Sequence, residues 1–249
     1  MSGRRLEVDG LRIEAPSRVL VDAVSFAVEP GELVALVGAS GAGKSLIGRA
    51  IVGLLPFEPG VVAGEVKVLE DGRPVVVLTA HGAGRHSALA SLRGRTVGWI
   101  PQDARAALAP VYTIGRQLRD ALRHHGHAHA PADIEGALRR AGFPQPASIL
   151  DRFPHTLSGG MARRAQVALG LATGAPFLVA DEPTTGLDKP VQARLVQTLR
   201  ALGDGGRGVL WITHELDLVR RFADRALVVE AGRLAWTGAG AELPERGLR

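Results

Sequence analysis

Cysteine is absent from this chain of 249 residues, and only 4% of its residues are aromatic. Without cysteine the protein has neither a disulfide framework nor a thiolate metal site, which agrees with a reducing compartment. Scarce aromatic side chains argue against base-stacking platforms for nucleic acid. The net charge of +5 comes almost entirely from arginines that are spread along the chain. Because a nucleic-acid partner calls for a clustered basic face, we expect none.

Long hydrophobic runs are also missing. No stretch of about eighteen apolar residues occurs, and the start MSGRRLEVDG lacks the apolar segment of a signal peptide. We therefore expect synthesis and residence in the cytoplasm. Hydrophobic residues nevertheless make up 46% of the chain, which is ample for the packed core of a globular protein.

The apolar residues that are present alternate between strand-like and helix-like patterns. Alternating runs interrupted at Gly10 and at Pro30-Gly31 predict antiparallel strands and hairpins near the N-terminus. The continuous run LVALV is typical of a strand buried on both faces. Further strands are predicted within 61–78, 96–100, 177–181, 208–213 and 225–230, and the segment 113–172 is mainly helical. Strands that alternate with helices predict an α/β fold with a mostly parallel core sheet.

This organisation predicts a single domain over residues 1–249 with three parts. We expect an N-terminal antiparallel β subdomain and an inserted helical subdomain at about 103–172. The core is expected at about 1–102 and 173–249.

A glycine-rich stretch, GASGAGKS, lies between a predicted buried strand and a predicted helix. It fits the phosphate-loop pattern G-x-x-x-x-G-K-[ST], and the strand and helix are the context that supports the match. Backbone N–H groups of such a loop and the positive end of the helix dipole converge on phosphates. Lys44 is expected to contact the β- and γ-phosphates, and Ser45 to ligate Mg²⁺. The predicted nucleotide-binding residues are Gly38, Ala39, Ser40, Gly41, Ala42, Gly43, Lys44 and Ser45.

Two acids, Asp181 and Glu182, follow the buried run FLVAD. The carboxyl edge of a parallel sheet is where ligands of open α/β folds bind. Asp181 is expected to hold Mg²⁺ through water, and Glu182 to orient and polarise the attacking water as a general base.

The stretch LSGGM leads into an arginine-rich helix, where Ser158 is a candidate N-cap with exposed N–H groups behind it. Here the sequence resembles the ATP-binding subunit of an ABC transporter. Six motifs stand in the order expected of that family: the phosphate loop, Gln102 in WIPQD, the signature LSGGM, LVADEP, the loop ending at Asp188, and His214 in ITHEL. The signature residues are Leu157, Ser158, Gly159, Gly160 and Met161.

The resemblance implies a P-loop ATPase that pairs head to tail with a second ATPase subunit, of the same or a different chain. The signature of one subunit then closes over the ATP held by the other, with Asp188 coupling the two sites. His214 is implied to contact the γ-phosphate, and Gln102 to link Mg²⁺ and the attacking water to the helical subdomain.

The same resemblance implies where the protein works. The helical subdomain would dock the coupling helix of a membrane permease made of two subunits, served by an extracytoplasmic solute-binding protein. The ATPase would lie peripherally on the cytoplasmic face of the membrane.

The neighbourhood of Gln102 resembles the peptide and nickel importer branch. Asp103, Leu108, Pro110, Thr113, Ile114, Gly115 and Gln117 match that pattern, and Pro101, Ala104 and Ala109 depart from it. Met161 also resembles this branch, and the short, cysteine-free C-terminal region is closer to the nickel or metal-chelate importers. The expected function is ATP-driven import of nickel, a metal chelate or a peptide.

Two other classes are considered. A non-transport ABC ATPase acting on nucleic acid would carry coiled coils or zinc modules between the nucleotide motifs, or two sets of motifs. Here 137 positions separate Lys44 from Asp181, and one set is present. An ATP-binding regulator without turnover would lack Glu182 or His214, and both are present.

Two local features stand apart from the motifs. The aromatic residue that stacks on adenine in this family has no counterpart, since the corresponding place reads Glu14-Ala15-Pro16. The tract HHGHAH, residues 124–129, falls between two predicted helices that end at Gly126 and restart at Pro131. We interpret it as a solvated loop, with a regulatory metal site as the alternative.

Overall fold

The computed structural model describes residues 3–79, 89 and 92–244, which form two sheets and the helices around them. The strands are β1 Arg4–Ala15, β2 Arg18–Val28, β3 Leu33–Val37, β4 Gly60–Glu70, β5 Arg73–Thr79, β6 Val97–Ile100, β7 Phe177–Asp181, β8 Gly208–Ile212, β9 Arg225–Glu230 and β10 Arg233–Ala239. The helices are α1 Lys44–Ile51, α2 Ile114–His124, α3 Pro131–Arg140, α4 Ala147–Leu150, α5 Gly159–Ala172, α6 Lys189–Asp204 and α7 Leu216–Phe222.

The larger sheet has six strands in the order β10-β9-β3-β8-β7-β6. The pairs β9–β3, β3–β8, β8–β7 and β7–β6 are parallel, and only β10 runs antiparallel to its neighbour. Every residue of β3, β7 and β8 is buried, because both faces of the sheet are covered. The predicted mostly parallel core sheet is confirmed, and it brings the loops after its five parallel strands to one edge.

The smaller sheet is antiparallel, with the order β2-β1-β4-β5, as the N-terminal patterns predict. The expected interruption at Gly10 is wrong, because β1 continues through it as a bulge. Gly10 has a φ of 58°, and the pairing register shifts between Val8 and Leu11. The Gly10 N–H donates to the Ser25 hydroxyl at 2.8 Å, so the bulged amide keeps a partner.

Helices α2 to α5 lie between β6 and β7 in sequence, and α2 and α3 both pack on α5. Each buries one face, with Leu118 and Leu122 of α2 and Leu138 of α3 in a shared hydrophobic core. The Thr113 hydroxyl caps α2. Pro131 occupies the first turn of α3, as predicted. None of the described helices is long and apolar enough to cross a membrane.

Candidate nucleotide-binding site

The phosphate loop, residues 38–43, turns the chain from β3 into α1 with glycines in conformations that side chains rarely adopt. Gly41 has a φ of 80° and Gly43 a φ of 103°. Lys44 is nearly buried, and its ammonium donates to the carbonyls of Gly38 and Ala39, each at 2.8 Å. Since an ammonium has three donors, one remains for a phosphate oxygen. Burial lowers the pKa of Lys44, and the carboxylates of Glu182 and Asp181 oppose that shift.

Asp181 and Ser45 meet beneath this loop. Asp181 is fully buried at the end of β7, and its Oδ1 accepts a hydrogen bond from the Ser45 hydroxyl at 3.0 Å. Its Oδ2 has no hydrogen-bond partner among the described residues. Hydroxyl and carboxylate oxygens are the donors that Mg²⁺ prefers, so these side chains fit a magnesium ion. Burial is the main cause that raises the pKa of Asp181, although the Ser45 hydroxyl opposes it.

Replacing Asp181 with asparagine is expected to stabilise the nucleotide-free protein at neutral pH. The folded state raises the pKa of this acid, so the buried charge costs stability above that pKa, and the cost disappears as the pH falls through it. We expect the free energy of unfolding to rise by on the order of 1 kcal/mol at pH 7, as is common when a destabilising functional residue is replaced. Urea unfolding across the acidic range measures it.

The exposed Asp151→Asn is the matched control, with little change in stability expected. The gain in Asp181→Asn should shrink as the pH is lowered. A variant that is less stable than the parent at every pH would contradict this account of the carboxylate.

Glu182 is the meeting point of three strand ends. Its Oε2 accepts from the Gln102 amide at 3.2 Å and from the Thr185 hydroxyl at 3.0 Å, and its Oε1 lies 3.3 Å from Nδ1 of His214. Gln102 follows β6, Glu182 follows β7 and His214 follows β8. Glu182 has a φ of 46°, and its N–H donates to the Ile212 carbonyl at 2.9 Å, which holds this strained backbone in place.

Thr185 is the contact that the sequence motifs did not single out. It follows Glu182 by three residues, and its N–H donates to the Glu182 carbonyl at 3.2 Å, closing a turn. That turn brings the hydroxyl back onto the carboxylate. A hydroxyl residue three positions after an acid in a turn is the sequence signal from which this contact could have been predicted.

The signature residues 157–161 lie at the start of α5. The Ser158 hydroxyl accepts from the Met161 N–H at 3.3 Å, which confirms the predicted N-cap, and Leu157 is buried in the core. A side chain added at Gly159 would meet nothing within 4 Å, so this helix end is open. Asp188 caps α6 in the same manner, accepting from the Val191 N–H at 2.9 Å.

The phosphate loop and the signature line two different cavities. One, of about 440 Å³, is lined by phosphate-loop residues together with Arg18, Phe57, Gln102 and Glu182. The other, of about 470 Å³, is lined by Gly159 and Thr185, and it shares Gln102 with the first. Within one chain, the signature therefore lies across Gln102 from the phosphate loop and not beside it.

Two polar side chains of α5 hold the backbone on either side of Gln102. Arg163 donates to the Pro101 carbonyl at 3.2 Å and to the Gln166 amide oxygen at 3.1 Å. Gln166 donates to the carbonyls of Pro101, at 2.5 Å, and Asp103, at 3.3 Å. Both side chains are buried, and burial lowers the pKa of Arg163. We call this set of hydrogen bonds the α5 clamp.

The histidine tract is only partly a loop. His124 is the last residue of α2, and its ring lies edge-on to that of His125 with 5.0 Å between centroids. His127 Nε2 lies 3.1 Å from the Thr173 carbonyl, which ties the tract to the end of α5. Among the residues described, no three histidine or acidic side chains are placed to hold a metal ion together.

The fold and the site indicate the class of protein: an α/β protein whose parallel sheet carries a phosphate loop and two acids at its carboxyl edge. The model of the ABC transporter family matches residues 21–185, which is more than half of the chain. The chain belongs to the ABC transporter family.

Relatives in two import systems are similar to it. The nickel import ATP-binding protein NikD of Pseudomonas putida is 39% identical over 249 residues, covering 99% of this chain and 92% of that protein. The oligopeptide transport ATP-binding protein OppD of Mycobacterium tuberculosis is 42% identical over 219 residues, covering 86% of this chain. The chain spans 34% of the length of that relative.

Solved structures show the same fold. A dimeric ATP-binding cassette in a post-hydrolysis state, bound to ADP and Pi, superposes with a TM-score of 0.78 at 22% identity, covering 94% of this chain and 98% of that one. An ATP-binding subunit of an ABC transporter superposes with a TM-score of 0.74 at 26% identity, covering 94% and 89%. The predicted α/β cassette is confirmed.

Proposed function

We propose that this chain is the ATP-hydrolysing, nucleotide-binding subunit that energises import of a small solute through a separate membrane permease. The observation that carries the proposal is the convergence of Gln102, Thr185 and His214 on Glu182, beside the Lys44 ammonium. The solute class, nickel, a metal chelate or a peptide, is supported by the names of the relatives.

The phosphates of ATP bind to residues 38–45, with Lys44 supplying the charge. Ser45 and Asp181, and Gln102 from the loop after β6, would hold Mg²⁺. When bound, the ion neutralises charge that develops on the phosphate oxygens.

Glu182 is the general base for the water that attacks. The oxygen of that water bonds to the γ-phosphorus while the bond to the leaving ADP oxygen breaks, and the proton passes to the Glu182 carboxylate. The Gln102 amide and the Thr185 hydroxyl hold this carboxylate in one orientation. His214, which contacts the same carboxylate, is proposed to donate to the γ-phosphate.

The signature acts in trans, in a head-to-tail dimer with a second ATPase subunit. The open N-terminal end of α5 and its separation from the phosphate loop within one chain support this arrangement. Such a helix end offers N–H groups to the ATP of the partner. Asp188, which caps α6 close to the same edge, couples the two sites.

The remaining partners belong to the membrane. The segment 103–172 is proposed as the helical subdomain that docks the coupling helix of a permease made of two subunits, which a solute-binding protein serves from outside. The subunit then sits on the cytoplasmic face of the membrane. The core is proposed at 1–102 and 173–249, of which residues 1–2, 80–88, 90–91 and 245–249 lie outside the described part of the chain.

Reconstitution in lipid vesicles tests the proposal. The chain is purified with its membrane subunits, and ATP hydrolysis is followed with nickel, a nickel chelate or a mixed peptide pool on the side of the solute-binding protein. Hydrolysis that rises several-fold with one solute, together with its uptake, is expected. Stimulation by DNA or RNA, with none by any solute, would replace the proposal with the nucleic-acid alternative.

We expect weak ATP affinity and little discrimination between ATP and GTP. No aromatic side chain is available at residues 14–16, where Glu14 is instead paired with Arg12 at 2.8 Å. The missing stacking is worth on the order of 1–3 kcal/mol per base. Calorimetric titration with both nucleotides measures this, and Phe57→Leu reports whether the Phe57 ring of the same cavity takes over the role. Micromolar ATP binding with GTP rejected about a hundredfold, a difference of about 2.7 kcal/mol, would contradict it.

A further inference from the structure

A third cavity lies away from the nucleotide site, between the α2–α3 connection, the C-terminal end of α5 and the residue before β8. Its volume is about 340 Å³, and its polar lining includes His127, Asp133, Arg140 and Arg207. This volume is at the lower end of the range for small-molecule sites, and the walls come from separate segments of the chain. The space suits a compact ligand.

Two of the lining side chains are arginines without a counter-charge. Neither Arg140 nor Arg207 makes a side-chain hydrogen bond or an ion pair with any residue in the described ranges, although Arg207 is half-buried. Two other half-buried arginines have partners: Arg225 pairs with Glu32 at 2.7 Å, and Arg164 donates to the Gly142 carbonyl at 2.9 Å. Arg140 is exposed, whereas Arg207 is half-buried. An unpaired cation is costly at a half-buried position, so an anion that pairs with Arg207 completes this arrangement.

The electrostatics of the cavity point the same way. Burial lowers the pKa of Arg207, and the positive charge of Arg140 lowers it further. Asp133 is the one acid among the described residues of the lining, and it accepts the Ala130 N–H at 2.9 Å as part of the α3 cap. The cavity is therefore cationic despite that carboxylate.

His127 closes one side. Its Nε2 is engaged with the Thr173 carbonyl at 3.1 Å, which fixes the ring and leaves Nδ1 without a partner among the described residues. The histidine tract thus contributes one oriented imidazole to the cavity.

We propose that the cavity lined by Arg140, Arg207 and His127 binds a small free oxyanion of the phosphate or sulfate class. Guanidinium groups pair with such oxyanions through two parallel hydrogen bonds, and two of them on one cavity favour a doubly charged ligand. Arg207 is also close to the C-terminal end of α5, where a cation is favourable by itself. The test must separate these two roles.

Equilibrium dialysis with radiolabelled inorganic phosphate, at constant ionic strength, provides the measurement on the full chain. A non-hydrolysable ATP analogue with Mg²⁺ fills the phosphate loop, so that binding there does not contribute. One phosphate per chain is expected. Arg207→Gln and Arg140→Gln should each weaken binding by about tenfold or more, as expected for a lost hydrogen bond to a charged group. Arg119→Gln, which removes the same charge from an exposed site on α2, should leave it unchanged.

Three results would overturn the proposal. The first is phosphate binding that is absent from the parent, or equal in all three variants. The second is an Arg207→Gln variant that only loses thermal stability, with Arg140→Gln binding as the parent does, since Arg207 then serves α5 alone. The third is binding confined to vesicles of anionic phospholipid, which would assign the arginines to a membrane surface. None of these measurements depends on ATP turnover, so a failure of the transport proposal can be distinguished from a failure of the anion-site proposal.

Discussion

Replacing Glu182 with glutamine is expected to lower ATP hydrolysis by about a thousandfold, within the range attributed to a lost general base. Glutamine keeps the shape of the side chain and can still accept from Gln102 and Thr185, so the loop geometry is retained. It has no carboxylate to take the proton of water. ATP-dependent dimerisation should persist or strengthen for two reasons. A negative charge next to the γ-phosphate is removed, and the bound ATP is no longer hydrolysed.

Phosphate release and analytical ultracentrifugation with ATP measure the two effects. Glu135→Gln is the matched control, because Glu135 is a partly exposed residue of α3 whose one ion pair within the described ranges is with Arg139, at 2.6 Å. An exposed pair of this kind contributes little, so the control should hydrolyse ATP at the parental rate. Undiminished ATP hydrolysis by Glu182→Gln would show that Glu182 is not the general base.

Replacing Gly38 with alanine is expected to displace the phosphate loop and to remove nucleotide binding. A Cβ at this position would lie 2.2 Å from the Val229 carbonyl oxygen, and Gly38 has a φ of 154°. Because the obstacle is backbone in β9, a side-chain rotation cannot relieve the contact. We expect a loss of about 3 kcal/mol in the free energy of unfolding, from overpacking and backbone strain together.

Gly72→Ala separates these two contributions. Gly72 has a φ of 76° in the turn between β4 and β5, and nothing lies within 4 Å of an added Cβ. It therefore carries strain without the collision and should lose only about 1 kcal/mol, with ATP binding intact. Chemical denaturation and nucleotide titration compare the variants. Equal losses at the two positions would show that conformation alone, and not the approach of β9, requires glycine at residue 38.

Much of the fold was predictable because it depends on local patterns. Continuous apolar runs identified β3 and β7, and the hydroxyl of Ser158 marked the start of α5. These signals are carried by the segment itself. By contrast, β10 has alternating half-exposed residues and was not predicted, since it depends on pairing with β9.

The site shows the same division. The parallel topology was enough to predict that Lys44, Asp181 and Glu182 lie at one edge of the sheet. The α5 clamp was not predictable, because Arg163 and Gln166 read as ordinary polar positions of a helix until α5 is packed against residues 101–103. The tie between His127 and the Thr173 carbonyl was missed for a similar reason. It joins residues 46 positions apart in sequence.

The α5 clamp makes the first turns of α5 and the segment around Gln102 a single mechanical body. Pro101 and Asp103 are held from the same helix, so any tilt of α5 pulls directly on the chain that carries Gln102. Gln102 in turn bonds to Glu182. A displacement of the Ser158 end of α5 therefore reaches the Glu182 carboxylate through Gln102, while the hydrogen bonds of the α5 clamp stay intact.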